Sequence, residues 1–336
     1  MSLGKNGLHN VGQTCYLNSA LQVLAHTPPL VKFYISGKYF NSIIYKKVAI
    51  SDIVYQFILF LNKYWGTNDT HNGINPTDFV KVFSKSSGLA IGQSQDSMEA
   101  LVHIVDQLKE DACEHIKRSM KAVSLESKVK FNKDGKPIYN SWQEYLDSHP
   151  SVITSIFTWF DDVLLEPLSC SHNCNTNDVS TVMALHIPEQ KKNVELIDLI
   201  GKHYQGETID YTCSKCNVKG KAKRTITCLK IPQVLAIHLK RYNNQAQKIN
   251  TPMVIPSTLK VSVGNEECDG EEVETRVYHL YGQIEHSGSY GGGHYNSYCR
   301  HSESGEWVFY DDRNVSMRKP PQISSSSYGL FYWREE

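Results

Sequence analysis

The stretch from Gly7 to Leu24, GLHNVGQTCYLNSALQVL, decides how the rest of the chain is understood. It is a loop that breaks into a helix. Gly7 and Gly12 permit tight turns, and Asn10 and Thr14 are turn or cap residues. From Tyr16 onward, Leu17, Ala20, Leu21 and Leu24 follow the i, i+3, i+4, i+7 spacing of a buried helix face. Thr27-Pro28-Pro29 then stops the helix. Cys15 therefore falls at a helix N-terminus, where orphan N–H groups and the positive dipole end stabilise an anion. A thiol so placed is expected to have a depressed pKa and to be the better nucleophile for it. A lone cysteine is more often a packing residue, so a chemical role needs partners elsewhere.

The far end of the chain supplies them. Tyr278–His286 alternates like a strand, Ser287–Gly293 is a glycine-rich loop, and His294–Arg300 resumes a strand. A turn over Ser302–Gly305 leads to Glu306–Tyr310, which returns antiparallel. Folding that hairpin brings His294 opposite residues 311 to 313, where Asp311 and Asp312 stand. A nucleophile needs a base, and the base needs an orienting group. Fourteen histidines supply many chance pairings, and the hairpin makes His294 the best of them. The glycines before it would let a substrate backbone approach closely. They do not make a phosphate loop, because no helix or lysine follows.

Between these ends, residues 28–120 are expected to be helical. Ile53, Phe57, Phe60 and Leu61 share one face, and Asn75-Pro76-Thr77 opens a segment with Phe79, Val80 and Phe83 apolar. Ser94 or Asp96 caps a further helix whose buried face is Met98, Leu101, Val102, Val105 and Leu108. Asp96 and Glu99 in its first turn suit the dipole, which by itself is plain helix-start chemistry. Residues 120–150 are ambiguous: Lys128–Phe131 alternates like a strand, Asn132–Pro137 is a turn, and Trp142–Leu146 fits a helical turn.

From Ser155 the chain becomes β-rich. Cys170/Cys174 and Cys213/Cys216 form two turn-borne pairs, the usual way to offer four thiolates to one tetrahedral Zn²⁺. The first pair is one residue longer than the standard knuckle, and His172 inside it is a rival ligand. Such a closed site is structural, and no cofactor is expected in catalysis. Ile231–Tyr242 contains a nearly unbroken apolar run that predicts a buried central strand, with His238 packed in it.

Composition sets outer bounds. The 336 residues carry a formal net charge of +0, which gives no support for nucleic acid or an anionic membrane as partner. The most apolar run, Ile53–Leu61, is about half a membrane span. The N-terminus lacks an apolar h-region, so no secretory signal is expected. Nine cysteines spread over so long a chain argue against a disulfide framework and for a reducing compartment, cytosol or nucleus. Both a short protein and an excised catalytic domain fit this chain.

Taken together, these segments resemble the ubiquitin-specific proteases. Gly7–Leu24 is similar to that family's Cys box, and Tyr281–Arg300 with Trp307–Asp312 to its His box. Gln95-Asp96-x-x-Glu99, Ile237–Tyr242, the two Cys pairs and the closing Gly329–Tyr332 fall in the family's order. The resemblance implies one α+β catalytic domain over 1–336 with a papain-like fold. A helical thumb would cover about 1–120, zinc-bearing β fingers about 155–230 and a β-rich palm about 231–336, with 120–155 unassigned. It implies Cys15 as nucleophile, His294 as general base and acid, Asp311 as orienting carboxylate with Asp312 the alternative, and Asn10 as oxyanion donor. Tyr16 and Tyr295 would confine a Gly-Gly tail, Asp96 and Glu99 would pair with tail arginines, and His286, Ser287 and Gly288 would belong to a mobile loop over the tail. Metal ligands would be Cys170, Cys174, Cys213 and Cys216. The implied activity is a cysteine isopeptidase acting after the terminal glycine of ubiquitin, as a monomer with ubiquitin and ubiquitinated proteins as partners. Gln13 and Ser94 depart from the commoner family residues without touching the catalytic set. The alternatives are a protease for another modifier with a Gly-Gly tail, a non-catalytic ubiquitin-binding module, and a general papain-type peptidase.

Overall fold

Every residue of helix α1 (Cys15–Ala25) is buried, so this helix lies between layers rather than on a surface. The computed structural model describes residues 4–35, 51–66, 72–120, 141–264 and 273–334. The strand and turn expected at 128–137 lie outside those residues. After α1 come α2 (Pro28–Ile35), α3 (Asp52–Gly66), α4 (Thr77–Ser87) and α5 (Ser97–Met120). The apolar faces expected from spacing are buried: Ile53, Phe57, Phe60 and Leu61 on α3, and Phe79, Val80 and Phe83 on α4. On α5, Met98, Leu101, Val105 and Leu108 are buried, while Val102 is only half-buried. Asp96 caps α5, its Oδ1 accepting from the backbone N–H groups of Met98 and Glu99. Helices α6 (Ser141–Ser148) and α7 (Val152–Phe157) close the helical part. Among the described residues no helix is long and apolar enough to cross a membrane.

The strands that follow are β1 (Trp159–Pro167), β2 (Cys174–Ser180), β3 (Met183–His186) and β4 (Val194–Glu195), then helix α8 (Leu196–Tyr204). Next come β5 (Glu207–Thr212), β6 (Lys219–Lys230), β7 (Val234–Lys240), β8 (Met253–Val254) and β9 (Thr258–Gly264). The last are β10 (Val273–Ser289), β11 (Gly292–Arg300), β12 (Trp307–Asp311), β13 (Asn314–Met317), β14 (Ile323–Ser324) and β15 (Ser327–Trp333). Strands β2-β1-β6-β5 make one antiparallel sheet, and β14-β8-β4 a small one. The large sheet runs β13-β12-β11-β10-β15-β7-β3, with β9 also paired to β10. Strand β7 lies between β15 and β3, and all of it but Lys240 is buried. The large sheet is covered on both faces. One core joins the N-terminal helices to residues such as Tyr281, Tyr295 and Tyr310; a second joins α8 to residues such as Leu235, Tyr278 and Tyr332. An apolar strand run is what burial on both faces requires.

The loop expected over Ser287–Gly293 is mostly strand. The β10–β11 ladder runs on to Ser289↔Gly292 and leaves Tyr290-Gly291 as a two-residue turn. Two glycines in register allow it: a Cβ on Gly288 would stand 2.5 Å from the Gly293 Cα. The return hairpin has the expected register, Ser297↔Tyr310 to Arg300↔Trp307.

Candidate active site

Helix α1 packs on α5 along one side and on β11 along the other, which sets Cys15 beside the start of β11. The backbone N–H groups of Tyr295, Tyr16 and Cys15 itself point at the Cys15 sulfur. They favour the thiolate, as the helix-start position predicts. Burial outweighs them. Cys15 is only 5% exposed, and its thiol is pushed above the ordinary value, with the Asp312 carboxylate adding to the effect. The expected depressed pKa is therefore corrected: the Cys15 thiol lies above its ordinary value, because desolvation outweighs the helix-start N–H groups.

His294 stands next to Tyr295, and its Nε2 is 2.5 Å from Asp311 Oδ1. Asp311 ends β12, and Asp312 follows it in a left-handed conformation with φ of 50°. That turn is gripped by the N-terminal segment. Leu8 donates its backbone N–H to the Asp312 carbonyl, 2.9 Å. Asn10 Nδ2 donates to Asp312 Oδ2, 2.9 Å, and Asn18 Nδ2 to Asp312 Oδ1, 2.7 Å. The close approach requires Gly7, where a Cβ would sit 2.2 Å from the Arg313 carbonyl oxygen. Asn10 also fixes its own loop, since Oδ1 accepts from the backbone N–H of Thr14, 2.9 Å. One N–H of the Asn10 amide is thus committed to Asp312, and the group carries a second.

Beside the hairpin a cavity of about 310 Å³ is lined by Asp96, Glu99, Tyr242, His286, Tyr295 and Tyr328. Asp96 accepts a hydrogen bond from the Tyr328 hydroxyl as well as from the two backbone groups it caps. Glu99 is exposed at the rim. His286 is buried, its Nδ1 hydrogen-bonded to the Tyr242 hydroxyl at 3.0 Å, and its ring lies 4.4 Å from that of Tyr295. Burial, helped by Lys248, holds His286 down at about 4. Tyr16 does not line this cavity. Its ring packs near Phe83, and its carbonyl accepts from Ser97 Oγ at 2.8 Å.

At the tips of the β2-β1-β6-β5 sheet, Cys170, His172, Cys213 and Cys216 place their donor atoms within 4.8 Å of one another, a set that could hold a metal ion. The expected fourth ligand, Cys174, is not in this set; His172 takes its place there. Cys174 opens β2 and pairs with Leu165, so the extra residue in the first spacing commits it to the ladder. His172, though exposed, has its Nδ1 3.9 Å from the Cys213 sulfur. The backbone N–H groups of Cys216 and Lys215 hold the Cys213 thiol down at about 6, as a ligating thiolate requires.

Sequence reasoning missed Asn18, Tyr242 and Tyr328. Asn18 carried a signal, a polar residue one turn after Cys15 in a helix whose spacing predicts burial. Tyr242 closes the Ile237–Tyr242 segment, and Tyr328 carried no signal.

The family model for ubiquitin carboxyl-terminal hydrolase matches residues 6–332. Ubiquitin carboxyl-terminal hydrolase 2 of Homo sapiens is 25% identical over 339 residues, covering 98% of this chain and 55% of that protein. Ubiquitin carboxyl-terminal hydrolase Usp2 of Drosophila melanogaster is 27% identical over 343 residues, covering 99% and 35%. The chain thus spans about half or less of the length of these relatives. Among solved structures, the SAGA DUB module with Ubp8 bound to monoubiquitin matches at a TM-score of 0.71 and 21% identity, covering 99% of this chain and 70% of that one. The module bound to ubiquitin aldehyde matches at 0.70 and 22%, with the same coverage. These structural likenesses carry the fold.

Proposed function

The chain belongs to the ubiquitin carboxyl-terminal hydrolase family, and we propose that it is a cysteine isopeptidase that cleaves after the C-terminal glycine of ubiquitin. The observation that carries this is the meeting of both chain ends: the Cys15 sulfur receives the Tyr295 N–H, while the adjacent His294 is held by Asp311. Asp311 occupies Nε2, which leaves Nδ1 of His294 to take the Cys15 proton. This transfer makes the thiolate, the reactive form of the nucleophile. The thiolate attacks the glycine carbonyl carbon, and the second N–H of Asn10 with the Cys15 N–H stabilises the oxyanion. The C–N bond breaks as His294 returns its proton to the leaving lysine amine, giving a thioester at Cys15. His294 then takes a proton from water, the hydroxide attacks, the C–S bond breaks, and ubiquitin leaves as the carboxylate.

The cavity beside the hairpin takes the substrate tail. Tyr295, Tyr328 and His286 bound it, and the carboxylates of Asp96 and Glu99 face its cationic side chains. The helices of about 1–120 form the thumb, the sheet of about 155–230 the fingers, and the large sheet the palm. The fingertip set is a structural zinc site with Cys170, His172, Cys213 and Cys216 as ligands. Three thiolates and an imidazole from two hairpins suit a closed tetrahedral ion, which supplies cross-linking and no chemistry. The described cysteines are all free, in keeping with a reducing compartment, cytosol or nucleus.

The test is turnover of ubiquitin carrying a C-terminal fluorophore, alongside other Gly-Gly modifiers carrying the same group. Ubiquitin is expected to be turned over fastest, with activity lost in Cys15→Ala and His294→Ala. Full activity in Cys15→Ala would end the proposal. Faster turnover of another modifier would reassign the substrate.

A further inference from the structure

We infer that Asn18 is a positioning residue that decides which of two adjacent aspartates orients His294. From the nucleophile's own helix it grips the Asp312 carboxylate, leaving the imidazole to Asp311. This rests on the function proposed above.

Asn18 is 3% exposed, and its Nδ2 faces only oxygens: Asp312 Oδ1 at 2.7 Å, the His9 carbonyl at 3.3 Å and the Leu8 carbonyl at 3.5 Å. Three acceptors around one group fix the amide with its nitrogen inward. A carboxylate there would be repelled by all three, and a hydroxyl is too short to reach them. The remaining handles of Asp312 are also taken. Asn10 holds Oδ2 and Leu8 holds the carbonyl, in a left-handed backbone that a side chain rarely adopts unaided.

The arrangement has a purpose because the two carboxylates are interchangeable in chemistry and close in space. His294, Asp311 and Asp312 bring one donor atom each within 4.8 Å of one another. An Asp312 carboxylate released by Asn18 is within reach of the imidazole that Asp311 now holds. It would also carry Asn10, its other partner, away from the oxyanion. Asn18 touches neither His294 nor the tail cavity, so its effect falls on alignment and not on substrate contact.

The experiment measures kcat, KM and their pH dependence on the fluorogenic ubiquitin substrate for Asn18→Ala, Asp312→Asn and the double variant. Asn18→Ala is expected to lower kcat by about 10- to 100-fold, the scale of a misaligned catalytic group, with KM little changed. The acid limb of its profile should move to higher pH, because the released carboxylate favours the imidazolium. A purely structural loss would lower the plateau without moving that limb. The double variant should be no worse than the poorer single one and should show no shift, since the charge Asn18 restrains is gone. Asn18→Ser repeats the test should the alanine variant not fold. An unshifted acid limb, whatever the plateau, or losses that multiply in the double variant, overturns the inference. A wild-type chain without turnover sinks the proposed function and this inference together; an active wild type with an unaffected Asn18→Ala sinks this inference alone.

Discussion

Adding one methyl group at Gly293, the residue before the proposed base, should do more damage than its size suggests. A Cβ at this position would lie 2.3 Å from the Ser287 carbonyl oxygen and 2.5 Å from His286 Nε2. Both are about 1 Å short of ordinary contact, and the first partner is backbone, so the β10–β11 ladder must part or His286 must leave its place. Overpacking of this kind destabilises a fold by about 1–3 kcal/mol. The larger consequence is chemical, since His294 is the next residue on the displaced strand. A shift of about 1 Å in a catalytic group can lower the rate by about 100-fold. Gly292 is the control: a Cβ there meets nothing within 4 Å. Gly293→Ala and Gly292→Ala should therefore separate in kcat/KM on fluorogenic ubiquitin by about two orders of magnitude, with thermal unfolding run alongside. The reasoning fails if Gly293→Ala stays within twofold of wild type, or if Gly292→Ala falls as far.

Stability should fall on mild acidification. Burial holds His26 and His286 at about 4 against an ordinary 6.5. Above 6.5 these rings are neutral whether the chain is folded or not; between 6.5 and 4 the unfolded chain takes up protons that the folded chain refuses. For the fully buried His26 this is worth about 2 kcal/mol between pH 7.5 and 5. Denaturant midpoints at pH 7.5 and 5 should differ accordingly, and equal midpoints would contradict it. Asn10→Ala should lower kcat by about 10²- to 10³-fold, the usual loss for an oxyanion donor, while ubiquitin affinity is kept; a small kcat effect would remove Asn10 from that role. Metal analysis should find about one zinc per chain, lost in His172→Ala and retained in Cys174→Ser. The reverse pattern would restore the four-cysteine set.

What could be foreseen divides by the range of the interactions involved. The apolar faces of α1, α3 and α4 follow from helical spacing, and β7 from its unbroken apolar run, because each is a local pattern meeting a local need. The meeting of His294 with the Asp311-Asp312 pair was also legible, since a hairpin's register is set by its turn, while the choice of Asp311 came with the family resemblance. Cys15 misled in one respect. Its helix-start position favours the thiolate, but the whole length of α1 is buried, and the desolvation that follows depends on layers far away in sequence. Spacing counts residues and cannot tell that Cys174 opens β2 or that His172 comes beside Cys213. The Asn18–Asp312 bond joins residues 294 apart, and no local pattern announces a partner at that distance. The glycine-rich stretch shows the converse: composition suggested a loop, whereas glycines in register let two strands close tightly.

The central claim, that the Cys15 sulfur forms a thioester with the terminal glycine of ubiquitin, can be put to one measurement. Ubiquitin bearing a thiol-reactive electrophile in place of its last glycine is incubated with the chain, and the adduct is mapped by mass spectrometry. One adduct on Cys15 is predicted, absent in Cys15→Ala and slowed in His294→Ala. An intact wild-type chain that stays unmodified, or an adduct on any other cysteine, would contradict the account.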